Sequence, residues 1–217
     1  MKKFIWIPFL LICSALCAQE NSFQSEWKFG ANAGLTFSRV RFNPHIPQNP
    51  LMQGTIGVTA RYISEKHFGV QVELNYAQRG WDEKTDTVIN LNEYSRSLSY
   101  LELPIMTHIY FNLGKRARMV FNLGPQIGYN IGEEVLKKRI FTDPDNVPNH
   151  FNEKIQRKFD YGIIFGTGLE IRTGIGFFIL EGRYSFGLSD IFNNTRSDEF
   201  QASPNLVLGT KLTYLFN

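Results

Sequence analysis

The chain has 217 residues, a formal net charge of +3 and a slightly polar mean hydropathy of -0.21, with 43% hydrophobic and 20% charged residues. That length suits one domain, and the charge is too small for a strong nucleic-acid footprint. After residue 16 no apolar run is long enough for a spanning helix, which excludes a helical membrane protein. A β-barrel stays open, because alternation hides it from averaged hydropathy.

The N-terminus begins Met1-Lys2-Lys3, continues with an apolar run from Phe4 to Leu16, and reaches Cys17-Ala18-Gln19. A basic tip, an apolar core too short to span and small residues before a polar stretch describe a secretory signal peptide, residues 1–18, with cleavage after Ala18. Lipoprotein processing at Cys17 is the alternative, although Leu16 is larger than the residue expected before such a cysteine. Cys13 and Cys17 are the two cysteines of the chain, so the mature domain, 19–217, has no disulfide. Loss of Lys2 and Lys3 also takes the formal charge from +3 to +1.

Eight strands follow in chain order, each alternating an apolar with a polar face at the period of two that strand geometry imposes. In the first, Trp27–Arg41, residues Trp27, Phe29, Ala31, Ala33, Leu35 and Phe37 oppose Lys28, Gly30, Asn32, Gly34, Thr36 and Ser38. The second, Gln53–Ile63, sets Ile56, Val58, Ala60 and Tyr62 against Thr55, Gly57, Thr59 and Arg61. The third, Phe68–Gly80, sets Phe68, Val70, Val72, Leu74 and Tyr76 against Gln71, Glu73, Asn75 and Arg79. The fourth, Ser95–Phe111, sets Leu101, Leu103, Ile105, Thr107, Ile109 and Phe111 against Tyr100, Glu102 and His108.

The fifth, Met119–Gly132, sets Phe121, Leu123, Ile127 and Tyr129 against Asn122, Gly124, Gln126, Gly128 and Asn130. The sixth, Lys158–Arg172, sets Phe159, Tyr161, Ile163, Phe165, Leu169 and Ile171 against Asp160, Gly162, Gly166, Gly168 and Glu170. The seventh, Phe177–Ser189, sets Phe178, Leu180, Tyr184, Phe186 and Leu188 against Glu181, Arg183 and Ser185. The last, Asn205–Phe216, sets Leu206, Leu208, Leu212, Tyr214 and Phe216 against Gly209, Lys211 and Thr213.

None of the apolar-face residues named above is Lys, Arg, Asp or Glu. A soluble barrel would bury that face. Here it is wide and aromatic while the other is small, polar and charged, the polarity of a transmembrane barrel with lipid outside. An Arg or Lys on such a face costs about 2–4 kcal/mol at the bilayer midplane, so its absence has a cause.

The connections alternate in the same sense. Ser64–His67, Asn112–Arg118 and Thr173–Gly176 are short, while Asn43–Met52, Trp81–Tyr94, Glu133–Arg157 and Asp190–Pro204 are long. Short periplasmic turns, long external loops and an even strand count are the rule for outer-membrane barrels. Aromatics gather at the two rims, with Trp27, Tyr62, Phe68, Phe111, Phe178 and Phe216 at one and Phe37, Tyr76, Tyr129, Phe159 and Phe186 at the other. Pro104 and Pro125 interrupt the fourth and fifth strands, where each removes a ladder hydrogen bond, and are read as bulge or rim positions.

Several phrases then occur in a fairly specific order: Phe29-Gly30-Ala31-Asn32-Ala33-Gly34-Leu35, Leu74-Asn75-Tyr76-Ala77-Gln78-Arg79-Gly80-Trp81, Tyr100-Leu101-Glu102-Leu103-Pro104-Ile105, Leu123-Gly124-Pro125-Gln126-Ile127-Gly128-Tyr129, Phe159-Asp160-Tyr161-Gly162, Glu181-Gly182-Arg183-Tyr184-Ser185-Phe186-Gly187-Leu188 and Leu212-Thr213-Tyr214-Leu215-Phe216. Through these, nearly all of the mature chain resembles the PorT-like outer membrane β-barrel family of Gram-negative bacteria, often labelled "porin family". The resemblance implies an outer-membrane barrel, whose named member assists protein secretion, and makes Pro104 and Pro125 family features. The end, Gly209, Leu212, Tyr214 and Phe216, resembles the terminal signal read by the barrel-assembly machinery, departing from it in that Asn217 follows the last aromatic.

Two groups of charges are candidate sites. The lumen set is Arg61, Glu73, Glu102, Glu170, Arg172, Glu181, Arg183 and Lys211. The short turn of the sixth and seventh strands should gather Glu170, Arg172, Glu181 and Arg183, and Arg61 and Glu73 should be diagonal neighbours across their turn. In a barrel of eight strands, with an interior that side chains just fill, the expected arrangement is a paired plug; a gated ion path is the alternative. The second set, Lys137, Lys138, Arg139, Arg157 and Lys158, brackets the longest loop and could hold lipopolysaccharide phosphates.

His45 and His150 in loops, with Ser197 and Ser203, show no spacing that would make a lipid A hydrolase, and His108 is expected to hydrogen-bond near Asn122. Asp143-Pro144-Asp145-Asn146 lacks a calcium-loop pattern, so no metal or other cofactor is expected. The resulting expectation is a non-enzymatic outer-membrane barrel: an envelope scaffold, or a loop-mediated binding protein accessory to secretion or envelope assembly. A narrow channel is the second reading and a lipid A-modifying enzyme the third. The partners implied are membrane lipid and lipopolysaccharide, the assembly machinery and, in the accessory reading, secretion or envelope proteins, with no nucleic acid.

Overall fold

Alternating β-branched, aromatic and glycine-containing segments become long strands because each can satisfy its backbone only by pairing on both sides, and closure leaves no edge. The computed structural model describes residues 24–84, 94–137, 154–193 and 202–216. Its strands are β1 (Glu26–Val40), β2 (Gln48–Asn49), β3 (Leu51–Glu65), β4 (Phe68–Glu83), β5 (Tyr94–Asn112), β6 (Ala117–Lys137), β7 (Phe159–Arg172), β8 (Gly176–Asp190) and β9 (Pro204–Phe216). All pairings are antiparallel, β1 with β9 and β4 with β5 included, so β1 and β3 to β9 close into an eight-stranded barrel. The expected signal peptide lies outside the described residues.

β2 was not expected. It pairs Gln48 with Glu83 and Asn49 with Asp82. The loop-end segments expected to be irregular are also partly strand: β4 runs on to Glu83, β5 starts at Tyr94 and β6 continues to Lys137. The wall therefore rises as a paired ribbon beyond the apolar band, because Trp81, Leu98 and Tyr100 continue the inward phase with apolar side chains.

The polarity is inverted relative to a soluble protein. Trp27 is 61% exposed and Leu208 58%, whereas Arg61 and Glu73 are 1% exposed. Outward rings cluster at the turn end, where Trp27 lies 4.9 Å from Tyr62 and Tyr214 lies 4.9 Å from Phe178 and 5.2 Å from Phe216. At the loop end Phe159 lies 6.3 Å from Tyr161. Both strand termini of the barrel and the three short turns share one end. In the first turn His67 takes a left-handed φ of 77°, its Nδ1 2.9 Å from the Tyr110 carbonyl oxygen.

Neither proline sits at a bulge. Pro104 pairs with Gln126 and Pro125 with Ile163, and the β5–β6 register resumes unshifted at Thr107 and Leu123. The register shifts lie instead between Ser95 and Arg96 and between Ser99 and Tyr100. A mid-strand proline costs its own donor and no more, so the ladder skips Ile105 and Met106 without slipping. Gly124 helps, because a Cβ there would sit 2.0 Å from the Ile105 carbonyl oxygen, so this close approach of β5 and β6 admits only glycine.

Candidate functional site

Inward side chains fill the barrel in three layers. At the turn end Ile63, Tyr110, Val120, Phe177, Ile179 and Leu215 form a buried apolar floor. Cations lie on its rings: Lys28 Nζ is 3.7 Å from the Phe177 centroid and the Arg118 guanidinium 4.6 Å from that of Tyr110. At the loop end Val40, Phe42, Trp81, Tyr94, Leu98, Tyr100, Ile155, Ile191 and Phe192 form an apolar cap. Trp81 is its centre, edge-on to Phe42 at 5.4 Å and to Phe192 at 6.3 Å.

Between floor and cap lies a charged layer, bonded wall to wall. Arg61 on β3 donates to Glu170 on β7 at 2.5 Å and, through Nε and Nη2, to Gln71 at 2.8 and 2.6 Å. Gln71 donates to Glu73 at 2.6 Å. Glu73 also receives both terminal nitrogens of Arg183, at 2.8 and 2.7 Å, and Lys211 at 2.9 Å. Arg183 reaches Glu181 at 2.7 Å, and Glu181 accepts from Asn122, whose other side faces His108 Nδ1 at 2.7 Å. Nearer the cap, Arg79 bridges Glu102 at 2.6 Å and Asp160 at 2.9 Å, with Ser189 and Asn205 also donating to Asp160. A lone charge in this interior would be costly, and nearly every one here has an opposite partner.

The remaining free space in this layer is small. The cavity bounded by Arg79, Glu102, Arg183 and Lys211 holds about 50 Å³, room for no more than a few waters.

Of the expected lumen residues, Arg61, Glu73, Glu102, Glu170, Glu181, Arg183 and Lys211 line this interior, while Arg172 does not. Arg172 is exposed at the turn-end rim, its guanidinium 5.3 Å from the Phe177 ring. It has the inward phase, but it stands one layer below the floor, where a long side chain reaches water. The expected cluster around the β7–β8 turn is corrected in the same way. Glu170 faces Ile179 in register, turns across the lumen to Arg61 and pairs with its β6 neighbour Arg118 at 3.2 Å, whereas Glu181 and Arg183 pair with each other. Arg61 and Glu73 are diagonal in register but share Gln71 rather than a bond of their own.

Arg79, Asp160, Gln71 and Asn122 belong to the same network and were not picked out as site residues. Their inward phase was readable. Of their partners, His108 beside Asn122 was expected and is present at 2.7 Å, whereas the pairing of Arg79 with Asp160, 81 positions apart, was not expected.

At the loop end Arg157 and Lys158 are exposed; the Arg157 Nε lies 3.4 Å from Asn193 Oδ1. Lys137 ends β6, while Lys138 and Arg139 lie outside the described residues, as do His150 and Ser197. Ser203 is buried, its Oγ taking the Phe192 N–H at 3.1 Å, which leaves it unlike a nucleophile. Leu212, Tyr214 and Phe216 share the outward face of β9, and the Tyr214 hydroxyl donates to the Ile175 carbonyl at 2.5 Å. Gly209 has the inward phase, opposite Thr36 and Arg183.

The sequence pattern of the family described as "Outer membrane protein beta-barrel domain" matches residues 17–193. The fold is similar to the outer membrane protein OprG of Pseudomonas aeruginosa, with a TM-score of 0.50 and 11% identity over 89% of this chain and 95% of that one. It is also similar to Neisserial surface protein A, with a TM-score of 0.45, 9% identity and coverage of 88% and 99%. For the attachment invasion locus protein Ail of Yersinia pestis the TM-score is 0.43, with 13% identity and coverage of 88% and 99%. The sequence matches no curated protein.

Proposed function

This chain belongs to the outer membrane protein beta-barrel domain family, and we propose that within it the chain is a closed, non-enzymatic scaffold that acts through its loop end. It is a small outer-membrane β-barrel protein of a bacterium, with lipid around its wall. The observation that carries the closed reading is the lumen: an apolar cap and an apolar floor seal a charged layer in which cations meet carboxylates wall to wall. The buried floor and cap at the two ends of that stack favour this reading over a narrow channel. Chemistry, if it needed a nucleophile beside a base, would need both in reach; Ser203 and His108 are buried in separate layers.

What remains open to the cell exterior is the loop end. Binding there, in support of secretion or envelope assembly, is the role we assign, with the PorT-like phrases as its sequence support. To Lys137, Lys138, Arg139, Arg157 and Lys158 we assign contacts with lipopolysaccharide phosphates, which the exposure of Arg157 and Lys158 supports, and to Gly209, Leu212, Tyr214 and Phe216 the signal read during insertion. Planar-bilayer recording of the purified protein tests the closed reading. A flat baseline is expected, and large stable current steps would replace the scaffold with a channel.

A further inference from the structure

We infer that a basic cleft on the outer rim, built by Arg39, Arg41, His45 and Lys84, binds the phosphate of an outer-leaflet glycolipid. The cleft lies between the end of β1, the segment before β2 and the end of β4, with a volume of about 360 Å³. Arg39, Arg41, His45 and Lys84 are all exposed on its lining, and among the described residues none of these side chains has a hydrogen-bond or ion-pair partner. Among the described residues no carboxylate lines it. This contrasts with the lumen, where each guanidinium is matched. Three permanent cations left unmatched around one hollow describe a receptor for an anion, and arginine forks suit phosphate oxygens.

The hollow is braced before any ligand arrives. The Gln48 side chain accepts from the Val40 N–H at 3.1 Å and donates to the Val40 carbonyl at 2.7 Å, as a pairing strand would. The Lys84 N–H donates to the Pro47 carbonyl and the Arg41 N–H to the Pro204 carbonyl, both at 2.9 Å. Backbone is thus pinned on three sides of the cations, and little ordering is left for binding to supply.

Position selects the source of the phosphate. Arg39 has the outward phase of Leu35 and Phe37 and pairs with Leu206, which also lines the cleft. The cations therefore sit on the outside of the wall, directly above its apolar band, where a lipid headgroup lies and its chains can run down the wall. A soluble anion would gain nothing from that apolar wall. The site is separate from Arg157 and Lys158. It takes from the proposed function only the orientation of the loop end, so a conducting lumen would leave it standing.

The test is binding of lipid A to the detergent-solubilised full chain, followed by native mass spectrometry. Probes are bisphosphorylated lipid A, the same glycolipid stripped of its phosphates, and inorganic phosphate. The charge-neutral variant is Arg39→Gln/Arg41→Gln/Lys84→Gln, its folding verified by heat-modifiable migration on a gel, and Lys66→Gln/Lys115→Gln, exposed at the opposite, turn end of the barrel, is the comparison. Wild type and the comparison variant should bind phosphorylated lipid A roughly tenfold or more tightly than the triple variant, given the strength of charge-assisted hydrogen bonds. Equal affinity for the triple variant, or for the phosphate-free lipid, would overturn the site. Inorganic phosphate binding as tightly as lipid A would overturn the lipid source.

Discussion

Arg183 on β8 and Glu73 on β4 face each other across the barrel, joined by two parallel hydrogen bonds of 2.8 and 2.7 Å between strands that are not neighbours in the sheet. Ladder bonds hold each strand to the next, but a bond across the lumen fixes the distance between opposite walls. It also leaves the two groups dependent on each other, because both are buried away from bulk solvent.

Glu73→Gln is therefore expected to cost about 3–5 kcal/mol, since it strands Lys211 in the interior and leaves Arg183 with Glu181 alone. Urea titration of the barrel in lipid vesicles measures it. Arg183→Gln should cost a similar amount, and the double variant less than the sum of the two, because the second substitution removes the charge orphaned by the first.

Trp81→Ala removes the centre of the cap and is expected to cost about 3–5 kcal/mol, as large-to-small core substitutions do. It should nevertheless leave a planar-bilayer recording flat, because the charged layer and the floor below remain. Current steps from this single variant would mean that the cap alone holds the lumen shut.

The outer wall responds to depth. Leu123→Arg, near the middle of the apolar band, is expected to destabilise by about 2–4 kcal/mol, while Trp27→Arg at the rim should cost about 0–1 kcal/mol of electrostatic penalty. Reversible folding in vesicles separates the two, and equal costs would contradict a bilayer around this wall.

Phe216→Ala tests the terminal segment. In cells it should lower the amount of folded barrel in the outer membrane several-fold, while the purified protein loses only the contact with Tyr214. If cellular level and purified stability fall together, the residue acts by packing and is not read during assembly.

The wall was legible because its cause is local. Leu101, Leu103 and Ile105 on one face and Glu102 on the other record which solvent each side meets, and no knowledge of the partner strand is needed. The interior was legible only as a list. Arg61 and Glu170 lie 109 positions apart, and closure alone brings them to 2.5 Å, so spacing pointed to nearer partners instead. Arg172 shows the limit of phase: it points inward by count but stands past the floor, where exposure decides. Trp81, Leu98 and Phe177 carried a readable signal, as apolar residues in phase with Arg79, Glu102 and Glu181. An inward face that turns apolar at both strand ends is the sequence trace of the floor and the cap.

The cap draws residues from the bases of three outer connections. Phe42, Ile155 and the pair Ile191 and Phe192 leave the strands only to be buried in the barrel's mouth. Insertions or exchanges there would unseat the core, so these residues must stay as the protein diversifies. Sequence drift in descendants of this chain should accordingly be slow at these anchored bases, where every exchange is felt by the barrel.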